Sequence, residues 1–444
     1  MNKKLGLIFF IFVIFLSNFH LHASALKQYS GDVSFRYQDW NEDIGGLEGN
    51  RYWGNFNFIY DFKEPFVNSE RKIDVTAATN DAGGFFWAVK EAQLTYIGVQ
   101  QEFSAGVLIL DWVEIDRVWG LGKLNNRVNI DFFEPGQAGL PGIRYKFNVS
   151  KNIKFDTFAS IIYVPELNPS LNIDKDAGTV TSRSPWAEAP ARTTQVGGLE
   201  RQIFYTVHIP DIQDIVFRAQ FGVNLQFSIF ENLHISTYYV KKPENNLSNT
   251  ATLIVDNVNF TPYVDVYPKI YYHELWGGQV TFETPDRDVQ LYGSFIMSQP
   301  GGKPENEQDI TDLGYAFRLE KNREAYSGAG MRYLFLNGET HIGYLARLSD
   351  FDDSNLLERK PRWNQVVNFS LNFKFWESFS LETELFYDML NYDRLVRTKL
   401  RYIYSSFLAV AVGLNAVTSP EGGTGYWSDF RNNDALFTEV SILF

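Results

Sequence analysis

The chain has 444 residues, a net charge of −13, no cysteine, 38 phenylalanines and 24 tyrosines. The lack of cysteine excludes thiol catalysis and Cys-ligated metals, and the acidic balance argues against a nucleic-acid partner. Because mean hydropathy is only −0.22 despite the many aromatic residues, the composition favours a barrel with an apolar outer face and a wet interior.

The beginning of the chain has the parts of a secretory signal peptide. A basic start precedes an apolar run over Leu5–Leu16, and a small-x-small cleavage site ends at Ala25. The run is shorter than the roughly 20 apolar residues that a membrane-spanning helix needs, although an N-terminal membrane anchor is the alternative interpretation. We therefore predict a signal peptide at 1–25 and an exported chain at 26–444.

Apolar and polar residues alternate along almost all of the exported chain. A period of two with one apolar face is typical of a strand, and each segment has about the 9–11 residues that a tilted strand needs to cross a bilayer. A soluble sandwich would alternate as well, but it would rarely keep one face so aromatic and the other so charged. The predicted strands lie near residues 29–40, 50–62, 71–80, 86–98, 102–112, 142–149, 153–164, 214–227, 232–241, 270–283, 288–298, 326–336, 340–350, 363–375, 379–389, 394–404, 407–418 and 435–444.

The predicted connections are alternately short and long, as in bacterial barrels, whose short turns are periplasmic. The patterns therefore predict an all-β fold, a transmembrane antiparallel up-and-down barrel of about 18 strands, with 16 strands as the alternative. A missed hairpin in 242–269 or 299–325 would also change the count. We interpret residues 199–213 as part of a long outer loop, because the strand parity then agrees with an even-numbered barrel.

Charged residues occupy the polar face of these strands, and burying an isolated charge costs several kcal/mol. They must therefore face water or one another, which a water-filled lumen allows. The predicted lumen lining includes Arg144, Lys146, Arg218, Lys374, Glu382, Glu384 and Arg401. One exception is Lys90, which interrupts the apolar face of the strand near 86–98.

Tryptophan and tyrosine residues recur near the ends of the predicted strands. In membrane barrels such residues form girdles at the two lipid–water interfaces. The candidates for these girdles are Trp40, Trp112, Trp363, Trp376, Tyr402 and Tyr404.

The last ten residues form an alternating strand that ends on an aromatic residue, with Val440, Ile442 and Phe444 on one face. This resembles the C-terminal signal of Gram-negative outer-membrane β-barrels, in which alternate apolar residues end in a terminal phenylalanine. The resemblance implies a porin-like barrel in the outer membrane and recognition of the last strand by the barrel-assembly machinery. A C-terminal core strand of a soluble β-protein is the alternative.

The third outer loop, residues 113–141, is rich in charge of both signs and in tryptophan and glycine. In the porins that the chain resembles, this loop folds inward and narrows the pore, and opposite charges in a narrow lumen select solutes. We expect the same here, with a surface loop packed on its neighbours as the alternative. The predicted constriction residues are Asp116, Arg117, Lys123, Arg127, Asp131 and Glu134.

The function predicted from these features is a channel for passive diffusion of small polar solutes, with no catalytic residues, cofactor or metal. Neither a Gly-x-Ser-x-Gly motif nor a His-Glu-x-x-His motif occurs. Two alternatives stay open, an adhesion or structural barrel acting through its outer loops and an outer-membrane hydrolase. The expected partners are membrane lipid, lipopolysaccharide, the assembly machinery and small polar solutes, and a homotrimer is one assembly that the resemblance allows.

Overall fold

The computed structural model describes residues 27–40, 52–64, 68–80, 84–301, 315–317, 322–349 and 360–444, apart from residues 132, 134, 135, 170, 183, 185, 188, 257 and 432. The signal peptide at 1–25 lies outside the described residues and stays a prediction. Among the residues that are described, no helix has the length and apolar character needed to cross a membrane.

Eighteen antiparallel strands form the wall of the molecule. Each overlaps one of the predicted strands, so the predicted antiparallel up-and-down barrel and its strand number are confirmed. The strands are β1 Lys27–Trp40, β2 Tyr52–Glu64, β3 Ser69–Asn80, β4 Phe85–Ile97, β5 Gln101–Leu108, β6 Leu140–Asn148, β7 Ile153–Ile162, β8 Phe217–Phe230, β9 Leu233–Pro243, β10 Tyr272–Glu283, β11 Val289–Pro300, β12 Glu324–Phe335, β13 Gly338–Arg347, β14 Gln365–Trp376, β15 Phe379–Asp388, β16 Arg394–Ser405, β17 Leu408–Thr418 and β18 Ala435–Leu443.

The barrel closes where the last strand meets the first. Strand β18 pairs with β1 from Asp32↔Leu443 to Trp40↔Ala435, so neither strand is left as an open edge. Beyond the strand, the backbone N–H of Phe444 donates to the carbonyl of Gly31 at 3.1 Å, and the N–H of Gly31 donates to the carbonyl of Phe444 at 3.1 Å. A Cβ at Gly31 would lie 2.7 Å from the backbone oxygen of Asn57 and 2.5 Å from Cζ of Phe444, so this close approach requires glycine.

Side chains alternate between the outside and the interior of the wall, as β18 illustrates. Val440 and Ile442 are 44% and 40% exposed on the outer face, whereas Glu439 and Ser441 are buried on the inner face. The outer faces of the other strands are likewise rich in exposed aromatic and aliphatic side chains. This arrangement suits a barrel with lipid outside and polar groups within.

A β-bulge accounts for Lys90 on strand β4. Asp74 and Val75 are adjacent on β3 but pair with Glu91 and Val89, which leaves Lys90 without a partner in the ladder. The extra residue reverses the alternation, so that Trp87 before the bulge and Leu94 after it are both exposed on the outer face. Lys90 thereby approaches Gly136 in the segment between β5 and β6.

The long connections contain short elements that do not belong to the wall. The helices are α1 Glu114–Trp119, α2 Ile212–Val216 and a 3₁₀ turn at Tyr426–Phe430. Strands Phe204–Val207, Ser248–Val255, Pro262–Lys269 and Tyr315–Phe317 form a separate four-stranded sheet. The remaining short strands pair as hairpins at Asn126–Val128 with Gly136–Ala138, Leu171–Asp174 with Thr179–Ser182, and Thr193–Val196 with Leu199–Gln202. Residues 199–213 thus contribute to these outer elements and not to the wall.

Candidate functional site

The segment that joins β5 to β6, residues 109–139, is here called the loop-3 segment. Its helix α1 contacts inward-facing positions on the opposite side of the ring. The backbone N–H of Glu114 donates to Oε1 of Gln279 on β10 at 2.8 Å, the Ile115 side chain packs against Gly328 on β12, and Trp119 packs against Gly343 on β13. The loop-3 segment therefore crosses the interior of the barrel.

A buried ionic network holds the root of the loop-3 segment. The Arg144 guanidinium on β6 binds Asp156 on β7 through Nε at 3.0 Å and Nη2 at 2.6 Å. The same Nη2 reaches Oδ1 of Asp111 at 2.6 Å, and the indole N–H of Trp112 donates to Asp156 at 2.7 Å. Because the guanidinium is planar and forked, this two-point contact fixes orientation as well as distance.

The turn after helix α1 is shaped by Asp116 and two glycines. The buried Asp116 carboxylate accepts backbone N–H groups of Lys123 at 2.7 Å and Leu124 at 3.1 Å. Gly120 and Gly122 have φ of 59° and 65°, the left-handed region that favours glycine. The structure thus places Asp116 inside the fold of the segment, bound to its backbone, and not on an open passage.

A second ionic network holds the tip of the loop-3 segment at the closing seam. Asp131 binds Nη1 of Arg36 on β1 at 3.2 Å. Arg36 also binds Glu439 on β18 at 2.8 Å, and Glu439 binds Lys399 on β16 at 2.7 Å. The side chains of Arg36 and Glu439 are almost fully buried, so each charge depends on its partners for compensation.

Backbone hydrogen bonds extend the loop-3 segment into a small internal sheet. Its hairpin of Asn126–Val128 and Gly136–Ala138 is flanked on one side by β4, where the N–H of Gly139 donates to the carbonyl of Lys90 at 2.7 Å. On the other side Leu167 pairs with Val128 in parallel. The bulge at Lys90 therefore supplies an attachment point for the segment as well as removing a lysine from the outer face.

An apolar cluster fills the interior beside helix α1. The Trp363 ring stacks on Phe386 at 5.0 Å and its indole N–H donates to the carbonyl of Trp119 at 3.1 Å, while Trp427 packs against Trp363 at 5.3 Å. Trp112 and Trp363 are each 1% exposed, so the prediction that they belong to the interfacial girdles is wrong. Trp376 and Tyr404, each 68% exposed, agree with that prediction.

The apolar cluster spans the interior from one side of the wall to the other. Its wall members include Leu108, Leu140 and Phe158 on β5–β7, Tyr238, Val240, Leu275, Tyr292, Ile296 and Tyr326 on β9–β12, and Leu345, Val366, Phe386, Leu395 and Val417 on β13–β17. Because these residues join through the loop-3 segment, apolar groups bridge the interior at this level, and charged side chains border the cluster.

Two of the other predicted constriction residues, Arg117 and Lys123, are paired with carboxylates. Arg117 binds Glu114 within helix α1, and Lys123 binds Glu324 on β12. The Arg127 side chain lies against Gly120 and Gly122. Glu134 lies outside the described residues. The described members of the set therefore lie on one segment, but they do not form a single cluster. Asp131 and Lys123 bind different strands of the wall, and Asp116 and Arg117 are bound within the segment.

The predicted lumen-lining residues divide into paired and unpaired groups. Arg144 belongs to the root network, Lys146 binds Glu102 at 2.9 Å, and Glu382 and Glu384 lie 3.9 Å and 3.6 Å from the Arg397 guanidinium. Among the described residues, no ion pair is formed by Arg218, Lys374 or Arg401, which all lie on inward-facing positions. Arg401 and Lys374 are near the short-turn ends of β16 and β14.

The Lys123 ammonium is the titratable group whose environment bears most on the segment. Burial alone would lower the pKa of Lys123, but the Glu324 carboxylate outweighs burial and holds the pKa above its ordinary value. Lys123 therefore stays charged throughout the neutral range.

A cavity of about 450 Å³ lies between the loop-3 segment and the long-loop ends of the barrel. We call it the outer vestibule. Its charged lining consists of Lys123, Arg127, Lys360 and Arg362 with Glu166, Glu244 and Glu324. Sequence reasoning found Lys123 and Arg127 because they lie in the third loop. It missed Arg362, Glu166 and Glu244, since nothing in the alternation pattern indicates which outer loops meet over the lumen.

No protein-family model matches the chain, and no curated protein matches it. Solved structures that resemble it include OccK5 (OpdH) of Pseudomonas aeruginosa, with 10% identity, coverage of 94% of this chain and 96% of that chain, and a TM-score of 0.47. OccAB3 of Acinetobacter baumannii is 10% identical over 95% of this chain and 100% of its own, with a TM-score of 0.47. A mutant Rh. blastica porin is 11% identical over 94% of this chain and 100% of its own, with a TM-score of 0.40. With similarity this low, the function has to be argued from the residues of the chain itself.

Proposed function

We propose that the protein is a porin-like channel of the Gram-negative outer membrane through which small polar solutes diffuse passively. The observation that carries the proposal is a closed 18-stranded barrel whose outer face is apolar and whose interior is crossed by the loop-3 segment. A closed barrel satisfies every wall hydrogen bond without water, which a lipid environment requires. The polar inner faces of the strands suit an aqueous path on either side of the segment.

In this proposal the loop-3 segment sets the width of the passage. Its two ionic networks and its apolar contacts hold it across the lumen, and Arg117, Lys123 and Arg127 are charged groups that a passing solute would meet. Lys374, Arg401 and Arg218 are inward-facing cations without a carboxylate partner in the described part of the wall. They are therefore candidates for transient contact with solutes.

The proposed location implies contact with membrane lipid and lipopolysaccharide, and assembly through the C-terminal strand. The outward-facing Val440 and Ile442, and the seating of Phe444 on Gly31, support a role for these three apolar residues in closing the barrel. Recognition by the assembly machinery and a homotrimeric state stay predictions. Refolding into lipid vesicles, with and without Phe444, would test the first, and analytical ultracentrifugation in detergent would test the second.

Planar-bilayer recording of the refolded protein tests the channel directly. We expect stepwise conductance, and deletion of residues 118–138 should raise it because the obstruction inside the barrel is removed. The deletion variant must first show the β-sheet circular dichroism of the parent. An unchanged conductance in a folded deletion variant would contradict the proposed constriction, and a silent parent protein would contradict the channel.

An adhesion or structural role is the second candidate, and the four-stranded sheet outside the wall favours it. This sheet joins strands from three different connections, Phe204–Val207, Ser248–Val255 with Pro262–Lys269, and Tyr315–Phe317. An ordered sheet on the long-loop side offers a surface that a simple pore would not need. A folded protein that is silent in bilayers but binds cell-surface material through this sheet would favour the second candidate.

A hydrolase is the least supported alternative. Two histidines contact serine hydroxyls on the wall, His234 with Ser228 at 2.9 Å and His273 with Ser298 at 3.0 Å. Nucleophilic catalysis also needs a group that orients the histidine and donors that stabilise an oxyanion. An esterase assay tests this alternative. It would be supported only if the protein hydrolyses ester substrates and loses that activity on Ser228→Ala or Ser298→Ala.

A further inference from the structure

The outer vestibule has an unusual content of side-chain amides. A carboxamide presents one acceptor oxygen and two donor hydrogens, which matches hydroxyl groups that both donate and accept. The volume of about 450 Å³ falls within the roughly 300–1,000 Å³ that is common for small-molecule sites. The asparagines that line it are Asn129, Asn168, Asn245, Asn246, Asn249 and Asn322.

Three of these amides form a chain along one side of the vestibule. Nδ2 of Asn129 donates to Glu166 and to Oδ1 of Asn168, the latter at 3.0 Å. Nδ2 of Asn168 donates to Oδ1 of Asn246 at 2.7 Å. The chain runs from the loop-3 segment to the connection after β9 and fixes the direction in which each amide points.

The inner end of this chain is a buried amide. Asn129 is 3% exposed, and its Oδ1 has no hydrogen-bond partner among the described residues. Leaving a buried acceptor unsatisfied costs about 1–3 kcal/mol. The partly exposed amides of Asn168 and Asn246 offer donors and acceptors to solute hydroxyl groups, whereas a carboxylate has no hydrogen to donate to an amide oxygen.

The charges around the vestibule are close to balanced. Four basic and three acidic side chains line it; Lys123 is bound to Glu324, and Lys360 is bound to Asp429 at 3.1 Å. A small ion would have to compete with these pairs. A neutral solute can accept from the ammonium groups and donate to the carboxylates while the pairs stay intact.

Apolar groups complete the lining. Leu121, Leu171 and Leu247 contribute aliphatic surface, and Trp186 contributes part of a ring that packs edge-to-face with Phe133. Sugar rings combine C–H faces with a rim of hydroxyl groups, so a wall of this mixed character fits them on both counts.

We propose that the outer vestibule is a binding site for small neutral polyhydroxylated solutes, of the mono- and disaccharide class, and that it favours them over small anions. This inference rests on the proposed channel function, because the vestibule would collect solute above the constriction. The site itself is defined by the amide chain from Asn129 to Asn246.

The test uses the full refolded protein and four probes, sucrose, maltose, succinate and inorganic phosphate. Binding is measured by calorimetry in detergent, and block of ion current is measured in planar bilayers. We expect sucrose or maltose to bind and to reduce the current, and succinate and phosphate to do so at least tenfold more weakly. Block by the anions at equal or lower concentrations than the sugars would overturn the proposal.

Two substitutions test whether the sugar binds in the outer vestibule. Asn246→Ala and Asn129→Ala should each raise the half-blocking sugar concentration by roughly three- to tenfold, the loss expected for one neutral hydrogen bond. Asn372→Ala is the matched control, because Asn372 faces the lumen from β14 outside the vestibule, and it should leave the sugar affinity unchanged. Unaltered sugar binding in both vestibule variants would overturn the assignment.

The two measurements separate this inference from the channel itself. A protein that conducts but binds no sugar would overturn the vestibule proposal and leave the channel in place. A protein that binds sugar with loss of affinity in Asn246→Ala, yet is silent in bilayers, would overturn the channel and support the site.

Discussion

The two ends of the loop-3 segment are held by networks of similar chemistry but different reach. At the root, Arg144 and Asp156 lie on neighbouring strands and are 12 residues apart in the chain. At the tip, Arg36 and Glu439 lie on the first and last barrel strands and are 403 residues apart. The root can therefore form as soon as one hairpin forms, whereas the tip requires the barrel to close.

This difference separates a local anchor from a global one. The root network uses β6, β7 and the adjoining Asp111 and Trp112, so it depends on little of the rest of the wall. The tip network draws on β1, β16 and β18, and it is complete when the seam between β1 and β18 is in register. Docking of the tip is consequently coupled to closure of the barrel, while the root is not.

The largest expected effect comes from breaking the root with Arg144→Met. The substitution leaves the Asp156 carboxylate buried without its cation, which is expected to lower the free energy of unfolding by about 3–5 kcal/mol. Urea unfolding followed by tryptophan fluorescence would measure the loss. Because the root is released, the conductance of the folded variant should also rise.

Lys146→Met is the matched control for this prediction. Lys146 lies on the same strand and faces the same way, but its pair with Glu102 is about one-third exposed, and such pairs contribute roughly 0–1 kcal/mol. Equal losses in the two variants would show that the Arg144 network does not act as an anchor.

Breaking the tip with Glu439→Gln should have the next largest effect. Arg36 and Lys399 would lose a shared carboxylate in a buried setting, although Asp131 would still contact Arg36, so we expect a loss of about 3 kcal/mol. Because Glu439 lies on the closing strand, the variant should also fold more slowly into vesicles. Thr438→Val, at an outward-facing neighbour on β18, should change neither the stability nor the folding rate. If Glu439→Gln folds as fast as the parent, that result would contradict the proposed coupling of tip and seam.

The wall of the barrel could be predicted from the sequence because its information is local. Each strand can be recognised from its own alternation of apolar and polar residues, and the strands follow one another round the barrel in chain order. Lys90 marks the limit of this reasoning. A single charged residue on an apolar face indicates that something interrupts the strand, but the alternation alone does not distinguish a bulge from a lipid-facing lysine.

The interior could be predicted only in part because its contacts are distant in the sequence. The charge and aromatic content of residues 113–141 drew attention to the right segment. Two partners of that segment, Trp363 and Glu324, lie 244 and 201 residues farther along the chain than Trp119 and Lys123, which they bind. The sequence alone places Trp363 in an interfacial girdle, because a tryptophan at a strand end has the same sequence pattern whether it faces lipid or the lumen.

The smallest expected effect concerns the middle of the loop-3 segment, where Lys123 binds Glu324. The folded-state pKa of Lys123 is raised by Glu324, so the stabilisation is fully present below the unfolded lysine pKa of about 10.4 and is lost as the pH rises through the higher folded value. Glu324→Gln should therefore lower the free energy of unfolding by about 1 kcal/mol at pH 7, and the difference from the parent should shrink only above roughly pH 10.

Urea unfolding of both proteins at several pH values between 6 and 11 would measure this difference. Glu70→Gln is the control, because Glu70 on β3 pairs with Lys63 on β2 at 3.0 Å in an exposed position and should contribute little at any of these pH values. If Glu324→Gln and the parent have the same free energy of unfolding at all pH values below 9, the middle of the segment is held by its apolar contacts with Trp363 and Phe386. In that case the root and tip networks, and not the Lys123–Glu324 pair between them, would be the ionic contacts that attach the loop-3 segment to the wall.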